Sequence, residues 1–373
     1  MLDSKELKEL ARMRNDAVSF VSLYLNVDPF SNPKGDYMIQ FKNMMKDAAE
    51  GLERTVYKHV KNDLEKIEAY VLGNKRMFRK GLVLLSSVRK DFWREYQLSV
   101  PVKSEIVVDK CPYIKPLLDA LDRHQRYVIV LVDKESARIF VVRLGEIVEY
   151  GEVHTPDVPG RHKKGGWFAL SQNHYERHIK FHVGLHLNDV VKKLDSFMAG
   201  EEISGLLIGG PDEAAVMTRD MLSPAVGGKI VGSFQSEMLA SSDEILAKAE
   251  AVIGAVEKKK KEETVERLIV QAMKNNNAVL GLENVLYALH EGKVMKLVFL
   301  RDYNPVGYSC KKCGSLGAQD TQWCTYCRGE LDATDFIIDA AAQKAVEQGA
   351  TVEVVAENKK LADSGGIGAF LRF

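Results

Sequence analysis

Short runs of consecutive apolar residues alternate along this chain with longer segments in which apolar residues recur every three or four positions. The first pattern suits strands buried on both faces, and the second suits amphipathic helices. Residues 3–15 predict a short charged helix, and Ala17-Val18-Ser19-Phe20-Val21-Ser22-Leu23-Tyr24-Leu25-Asn26-Val27 predicts a strand closed by Asp28-Pro29. Asp36 to about Leu72 has helical spacing over its whole length, and Gly81–Ser87 predicts a second buried strand. Residues 1–120 are therefore expected to form an α+β domain.

A new rhythm begins at Tyr127–Asp133, a fully apolar run that pairs as a hairpin with Ala137–Val142. A third strand at Ile147–Glu152 leads into a polar loop, and a helix follows from about Ser171 to Met198. Ser204-Gly205-Leu206-Leu207-Ile208-Gly209-Gly210-Pro211 predicts a buried strand ending in a glycine turn, with helix and strand alternating up to about Glu257. This predicts an α/β domain over residues 121–258. Lys258-Lys259-Lys260-Lys261 marks a composition shift and reads either as a basic RNA contact or as an exposed helix face flanked by Glu257, Glu262 and Glu263. A helix, a strand at Val294–Leu300, a helix at Asp335–Gln348 and a strand at Thr351–Ala356 predict a third domain, also α/β, over residues 259–373.

Composition narrows the function classes. With 373 residues, two or three domains are expected. No stretch reaches the ~20 apolar residues that span a bilayer, and the polar start Met1-Leu2-Asp3-Ser4-Lys5-Glu6-Leu7 predicts no secretory signal. The expectation is a cytoplasmic protein with no membrane partner. Formal net charge is zero, so contact with nucleic acid has to come from local patches.

Four of the five cysteines form two Cys-x-x-Cys knuckles: Cys310-Lys311-Lys312-Cys313 and, ten residues on, Cys324-Thr325-Tyr326-Cys327. Four thiolates at this spacing suit a tetrahedral Zn²⁺ with no open coordination position, hence a structural zinc ribbon over about 305–332. Gly314 and Gly329 suit the tight turns after each knuckle. A redox dithiol pair is the alternative, and Cys111 reads as an inert buried thiol.

Val158-Pro159-Gly160-Arg161-His162-Lys163-Lys164-Gly165-Gly166-Trp167-Phe168-Ala169-Leu170-Ser171-Gln172 combines glycines with dense positive charge, which lets backbone amides approach phosphates. It is not a phosphate-binding loop of the Walker type, because no Lys-Ser/Thr follows the glycines. His174, His178, His182 and His186 recur at spacing four on the following helix, with Arg177 and Lys180 beside them. A metal site, a face touching RNA backbone and a plain solvated face are the three readings of that stripe.

The loop, followed by Tyr175-Glu176-Arg177, resembles the middle domain of archaeal and eukaryotic class-1 peptide chain release factors, as do Leu206–Pro211 and Val231-Gly232-Ser233-Phe234. Gly365-Gly366-Ile367-Gly368-Ala369-Phe370-Leu371-Arg372-Phe373 is similar to the ending shared by these factors and the ribosome-rescue factor Pelota. The knuckles fall where archaeal members carry an inserted zinc ribbon. The resemblance covers about residues 17–373 and is best to the bacterial, Balon-like branch of the superfamily. It implies three domains, the last L7Ae-like and docking a translational GTPase of the elongation-factor type. It also implies binding in the ribosomal A site, with the glycine loop at the peptidyl-transferase centre and with rRNA contacts from Arg161, His162, Lys163, Lys164, Trp167, His174, Arg177, His178 and Lys180.

Two departures shape the expected activity. The family's codon-reading Asn-Ile-Lys-Ser loop does not occur; the corresponding helical region is Lys46–Leu52. The position after Gly165-Gly166 is Trp167 where the family has glutamine, and Gln172 lies five residues further on. One alignment treats Phe168-Ala169-Leu170 as an insert that leaves Gln172 as the family's glutamine; the other simply replaces glutamine with Trp167. The first makes Gly165, Gly166 and Gln172 the catalytic group of a peptidyl-tRNA hydrolase, which positions water and donates amides to the developing oxyanion. The second makes the protein an A-site binder for rescue or hibernation rather than stop-codon-specific termination.

Overall fold

The structure is a computed structural model that describes residues 4–14, 19–75, 77–123, 125–143, 145–154, 169–200, 203–319 and 321–373, with backbone alone for residues 4, 123, 154 and 169–180. It is a mixed α/β protein whose described residues form four sheets, dividing into two compact units: residues 1–123 together with 260–373, and residues 124–259.

The chain opens with α1 (Ser4–Arg12), β1 (Phe20–Asn26), α2 (Tyr37–Gly51), α3 (Arg54–Gly73), β2 (Gly81–Ser87), β3 (Phe92–Leu98), β4 (Glu105–Asp109) and α4 (Lys115–Arg123). The strands form an antiparallel sheet in the order β3-β2-β1-β4. β1 is apolar on both faces because both are covered. Val21, Leu23 and Leu25 pack with Phe41 of α2 and with Val60, Leu64 and Ile67 of α3. On the other face Phe20 meets Phe92, Tyr24 meets Tyr113, and the Tyr113 amide donates to Ser22 Oγ at 3.0 Å. The long helix expected from Asp36 to Leu72 is instead two helices, broken where Leu52 (ψ 140°) and Glu53 (ψ 144°) turn extended. Helix-weakening Gly51 stands at the break, and a hairpin lets both helices bury an apolar face on one sheet.

The middle unit contains β5 (Tyr127–Val132), β6 (Ser136–Arg143), β7 (Glu146–His154), α5 (Ala169–Ala199), β8 (Gly205–Gly209), α6 (Asp212–Met221), α7 (Pro224–Gly227), β9 (Ile230–Phe234) and the first part of α8 (Ser242–Met273). Its sheet runs β7-β6-β5-β8-β9, antiparallel across β7-β6-β5 and parallel across β5-β8-β9. Central β5 alternates two cores: Val128, Val130 and Val132 face Val183, Leu187, Val190 and Leu194 of α5, while Tyr127, Ile129 and Leu131 face Ile245, Ala249 and Ile253 of α8. Gly210, after β8, has φ 126° and lies against the Val132 carbonyl, where a Cβ would stand 2.1 Å from that oxygen. Only glycine fits there.

The last segment packs the end of α8 with β10 (Ala278–Leu280), α9 (Leu282–His290), β11 (Val294–Leu300), β12 (Gly307–Cys310), β13 (Leu316–Gly317), β14 (Leu331–Thr334), α10 (Ile337–Glu347), β15 (Thr351–Val355), α11 (Lys359–Asp363) and β16 (Ile367–Leu371). Its main sheet is β10-β16-β11-β15, in which only β11 and β15 run parallel, and β13-β12-β14 form a small separate sheet. Val265 and Leu268 of α8 pack with Val298, Val355 and Phe370.

α4 joins the first and last segments. Lys115, Asp119 and Asp122 share one helical face. Lys115 pairs with Asp339 at 2.9 Å, Asp119 with Arg301 at 3.2 Å and Asp122 with Lys261 at 2.5 Å. Lys261 also donates to the Val354 carbonyl at 2.8 Å. The last lysine of the basic run is thus an internal tether and not part of an exposed or RNA-facing row, whereas Lys258, Lys259 and Lys260 are exposed. Burial raises the Asp122 carboxyl while Lys261 pulls it down, so the pair works against desolvation. Replacing Lys261 with alanine leaves that carboxylate unpaired and should cost about 3 kcal/mol, read as a lower urea midpoint; an unchanged midpoint would show that solvent screens the pair.

Candidate functional site

The glycine loop lies between the end of β7 and the start of α5. Arg161, His162, Lys163, Lys164, Gly165, Gly166 and Trp167 fall outside the described residues. Gln172, His174, Arg177, His178 and Lys180 lie on the first turns of α5, where the description is of backbone alone.

The strand that leads into the loop is firmly anchored. Arg138 on β6 grips Glu149 of β7 through two hydrogen bonds of 2.8 and 2.9 Å, and its third nitrogen donates to the carbonyls of Met238 and Ala240. That hydrogen bond lowers the Glu149 carboxyl below its ordinary range and raises the guanidinium. Lys193 of α5 donates to the Glu152 carbonyl at 2.9 Å, and Tyr150 packs on Phe197 with ring centroids 4.2 Å apart. β7 is therefore fastened to α5 just below the loop. These anchors carry no motif; an Arg and a Glu eleven positions apart become meaningful only once the β6–β7 register is known.

Of the histidine stripe, the side chains of His182 and His186 are described, and they do not share one surface. His186 is fully buried in the middle unit and His182 half-buried. A spacing of four advances about 40° per step around an α-helix, so a row of four winds from one side towards another. The solvent-facing row near His182 carries Phe181 (62% exposed) and Leu185 instead.

The four cysteines converge. Their sulfurs all lie within 4.8 Å of one another, with Cys310–Cys327 at 3.4 Å and Cys313–Cys324 at 3.6 Å. These separations are far beyond the about 2.0 Å of a disulfide. They approach the about 3.8 Å edge of a tetrahedron of thiolates around a zinc-sized ion. The two knuckles repeat one design. The Cys310 amide donates to the Ser315 carbonyl and the Gly314 amide to the Cys310 carbonyl; the Cys324 amide donates to Gly329 and the Arg328 amide to Cys324. The left-handed residue of each turn is Gly314 (φ 66°) in the first and Arg328 (φ 57°) in the second. Gly329 serves otherwise: a Cβ there would stand 2.8 Å from Lys312 Cβ and 3.1 Å from the Cys310 sulfur.

Donors around the sulfurs favour thiolate. Burial raises Cys324, but Ser315 and the amides of Cys327 and Tyr326 outweigh it and bring the thiol down to about 6. Cys327 takes the Gly329 amide, yet its sulfur neighbours push it up to about 12. Cys313 is lowered as well, the Ser315 hydrogen bonds outweighing burial, so two sulfurs favour thiolate and Cys327 is the one a divalent ion would help to deprotonate. The cluster is fastened to α9 by His290, stacked on Tyr326 with centroids 3.4 Å apart, and by Gln319 donating to Glu283 at 3.3 Å. Cys111 stands apart from it. The thiol is half-buried rather than buried, donates to Gln343 at 3.2 Å, and is pushed up to about 12 by burial and Asp109, which keeps it protonated.

Residues 112–254 match the model of bacterial archaeo-eukaryotic release factor family 10. Peptide chain release factor subunit 1 of Methanobrevibacter smithii is 23% identical over 410 residues, taking in 99% of this chain and 96% of the relative. Its counterpart from Archaeoglobus fulgidus is 24% identical over 411 residues, with the same coverage. The chain is thus similar along nearly its whole length to archaeal peptide chain release factors, and its middle segment matches a bacterial release factor family. Among solved structures it is similar to an archaeal translation termination factor (18% identity, TM-score 0.30, covering 100% of this chain and 99% of the other) and to Archaeoglobus fulgidus Pelota (17%, TM-score 0.35, 78% and 79%). The family match takes in β5 to β9, the glycine loop and all of α5. No described helix is long and apolar enough to cross a membrane.

The knuckle geometry gives a direct test. Gly329→Ala should push the Cys310 sulfur out of place and weaken Co²⁺ binding by about tenfold, read from the thiolate–cobalt absorption bands; wild-type affinity would show that the turn has room for a Cβ.

Proposed function

We propose that the chain is a ribosome A-site factor that acts in rescue or hibernation rather than in stop-codon-specific termination. One observation carries this reading: a chain matched over 99% of its length to peptide chain release factors has Gly165-Gly166-Trp167 where the family's loop has Gly-Gly-Gln. The turn between α2 and α3 also lacks an Asn-Ile-Lys-Ser tetrapeptide. In this reading the organisation is 1–120, 121–258 and 259–373, the last being L7Ae-like with its ribbon at about 305–332. Arg161, His162, Lys163, Lys164, His174, Arg177, His178 and Lys180 neutralise rRNA phosphates, and Trp167 stacks on a base. The protein works in the cytoplasm, and its last domain docks a translational GTPase of the elongation-factor type.

Cys310, Cys313, Cys324 and Cys327 hold a structural Zn²⁺ in this reading. With four thiolates the ion supplies folding energy and no reaction chemistry. The purified protein should carry about one zinc per chain by elemental analysis, and Cys324→Ser should lose it together with thermal stability of the 260–373 segment. A metal-free wild type as stable as the loaded one would remove the zinc.

The second reading, peptidyl-tRNA hydrolysis through Gly165, Gly166 and Gln172, is favoured by the glutamine that follows the loop. One pair of experiments separates the two. Purified protein should co-sediment with ribosomes lacking mRNA and nascent chain, and failure to do so ends the first reading. Release of labelled peptide from ribosome–peptidyl-tRNA complexes, lost in Gln172→Ala, would establish the second.

A further inference from the structure

Three segments meet at one end of the first sheet: residues 27–36, 74–80 and 99–104. They are stitched together. The Val27 amide donates to the Lys80 carbonyl at 3.0 Å, the Lys80 amide to Leu98 at 3.1 Å, the Asn26 amide to Ser104 Oγ at 2.9 Å, and Tyr37 Oη to the Lys75 carbonyl at 3.1 Å. This end lies away from the Leu52-Glu53 turn, because α2 leads from it and α3 returns to it.

Its charge is lopsided in a chain of zero net charge. Among the described residues the three segments hold Lys34, Lys75, Arg79, Lys80 and Lys103 against only Asp28 and Asp36. Asp28 is not a surface charge: it is 7% exposed and accepts from the Phe30 amide at 3.2 Å and Ser31 Oγ at 3.4 Å. Lys34, Lys75, Arg79, Lys80 and Lys103 are exposed.

Among these cations stands Phe30, 90% exposed, with Met77 at 72%. Phe30 is held out by an ordered loop. The Asp28 amide donates to Asn26 Oδ1, the Asn32 side chain donates to the carbonyls of Asn26 and Asp28, and the Asn32 amide closes on Asp28 at 2.9 Å. Pro29 and Pro33 narrow the backbone on either side. A preset aromatic ring ringed by cations fits a polyanion that also offers a flat apolar face. Duplex RNA shows no free base face, and an acidic protein has no need of the ring.

We propose that this end of the N-terminal sheet binds single-stranded RNA, with Phe30 stacked on an unpaired base and Lys34, Lys75, Arg79, Lys80 and Lys103 around the flanking phosphates. The site shares no residue with the glycine loop, and the inference does not rest on the ribosomal reading above.

The test is fluorescence anisotropy of the full chain with a short labelled oligouridylate between about 50 and 200 mM salt. Phe30→Ala should weaken binding about tenfold with the salt slope unchanged. Lys75→Ala combined with Lys80→Ala should reduce that slope by about 1.4. Thermal unfolding of each variant should match wild type, since the substituted side chains are exposed, and 4-thiouridine photo-crosslinks should map to residues 28–36 and 74–80. The proposal is overturned if Phe30→Ala binds as wild type does, if crosslinks map only to 155–180, or if duplex RNA or phosphatidylserine vesicles bind better than the oligouridylate. Oligouridylate binding without ribosome binding would sink the A-site reading and leave this one standing.

Discussion

The row of ion pairs along α4 is the constraint on which the unit formed by the two ends of the chain depends. Lys115, Asp119 and Asp122 each meet an opposite charge supplied by residues beyond position 260, and two of the three pairs are largely withdrawn from water. Such charges are expensive to bury singly and tolerable only as satisfied pairs. Gln343 adds to the seam: its side chain donates to the Ala11 carbonyl at 3.2 Å and accepts from Cys111. Segments separated by the whole middle unit in sequence thereby become one compact body.

The middle unit is organised on a different principle. Its strand β5 is buried on both faces, and alternate residues of that one strand serve two helices on opposite sides. The outer strand β7 carries more charge, and there polar anchors take over. Arg138 with Glu149 and Lys193 with Glu152 hold β7 at the point from which the glycine loop departs. An apolar core thus supplies stability, while a few directed hydrogen bonds fix the strand that feeds the loop. A loop rich in glycine and lysine has no core of its own and depends on where its ends are placed.

The cysteine cluster shows how a short motif becomes geometry. Each knuckle is closed by the same two backbone hydrogen bonds, and the left-handed position falls on the residue after the second cysteine in both. The glycines in the two knuckles do unlike jobs, Gly314 through its backbone angle and Gly329 through the absence of a Cβ. The composition of the spacers does not distinguish these jobs. Only the packing of Lys312 and the Cys310 sulfur against Gly329 does.

By itself the sequence determined the strands that are buried on both sides, because apolar runs such as Leu82–Leu85 and Tyr127–Val132 have few alternatives. It determined the two Cys-x-x-Cys knuckles for the same local reason, since each pair of cysteines is brought together within one short turn. Edge strands β3 and β4, with their mixed polar pattern, and the break in the α2–α3 segment were not legible, because partner strands and the need to cover one sheet decide them. The tertiary structure alone decided that Lys261 is a tether, that His186 turns inward, and that Phe30 stands in a basic patch assembled from three separated segments. Each of these depends on which distant residue lies opposite, and charge or periodicity along one stretch of chain carries no such information.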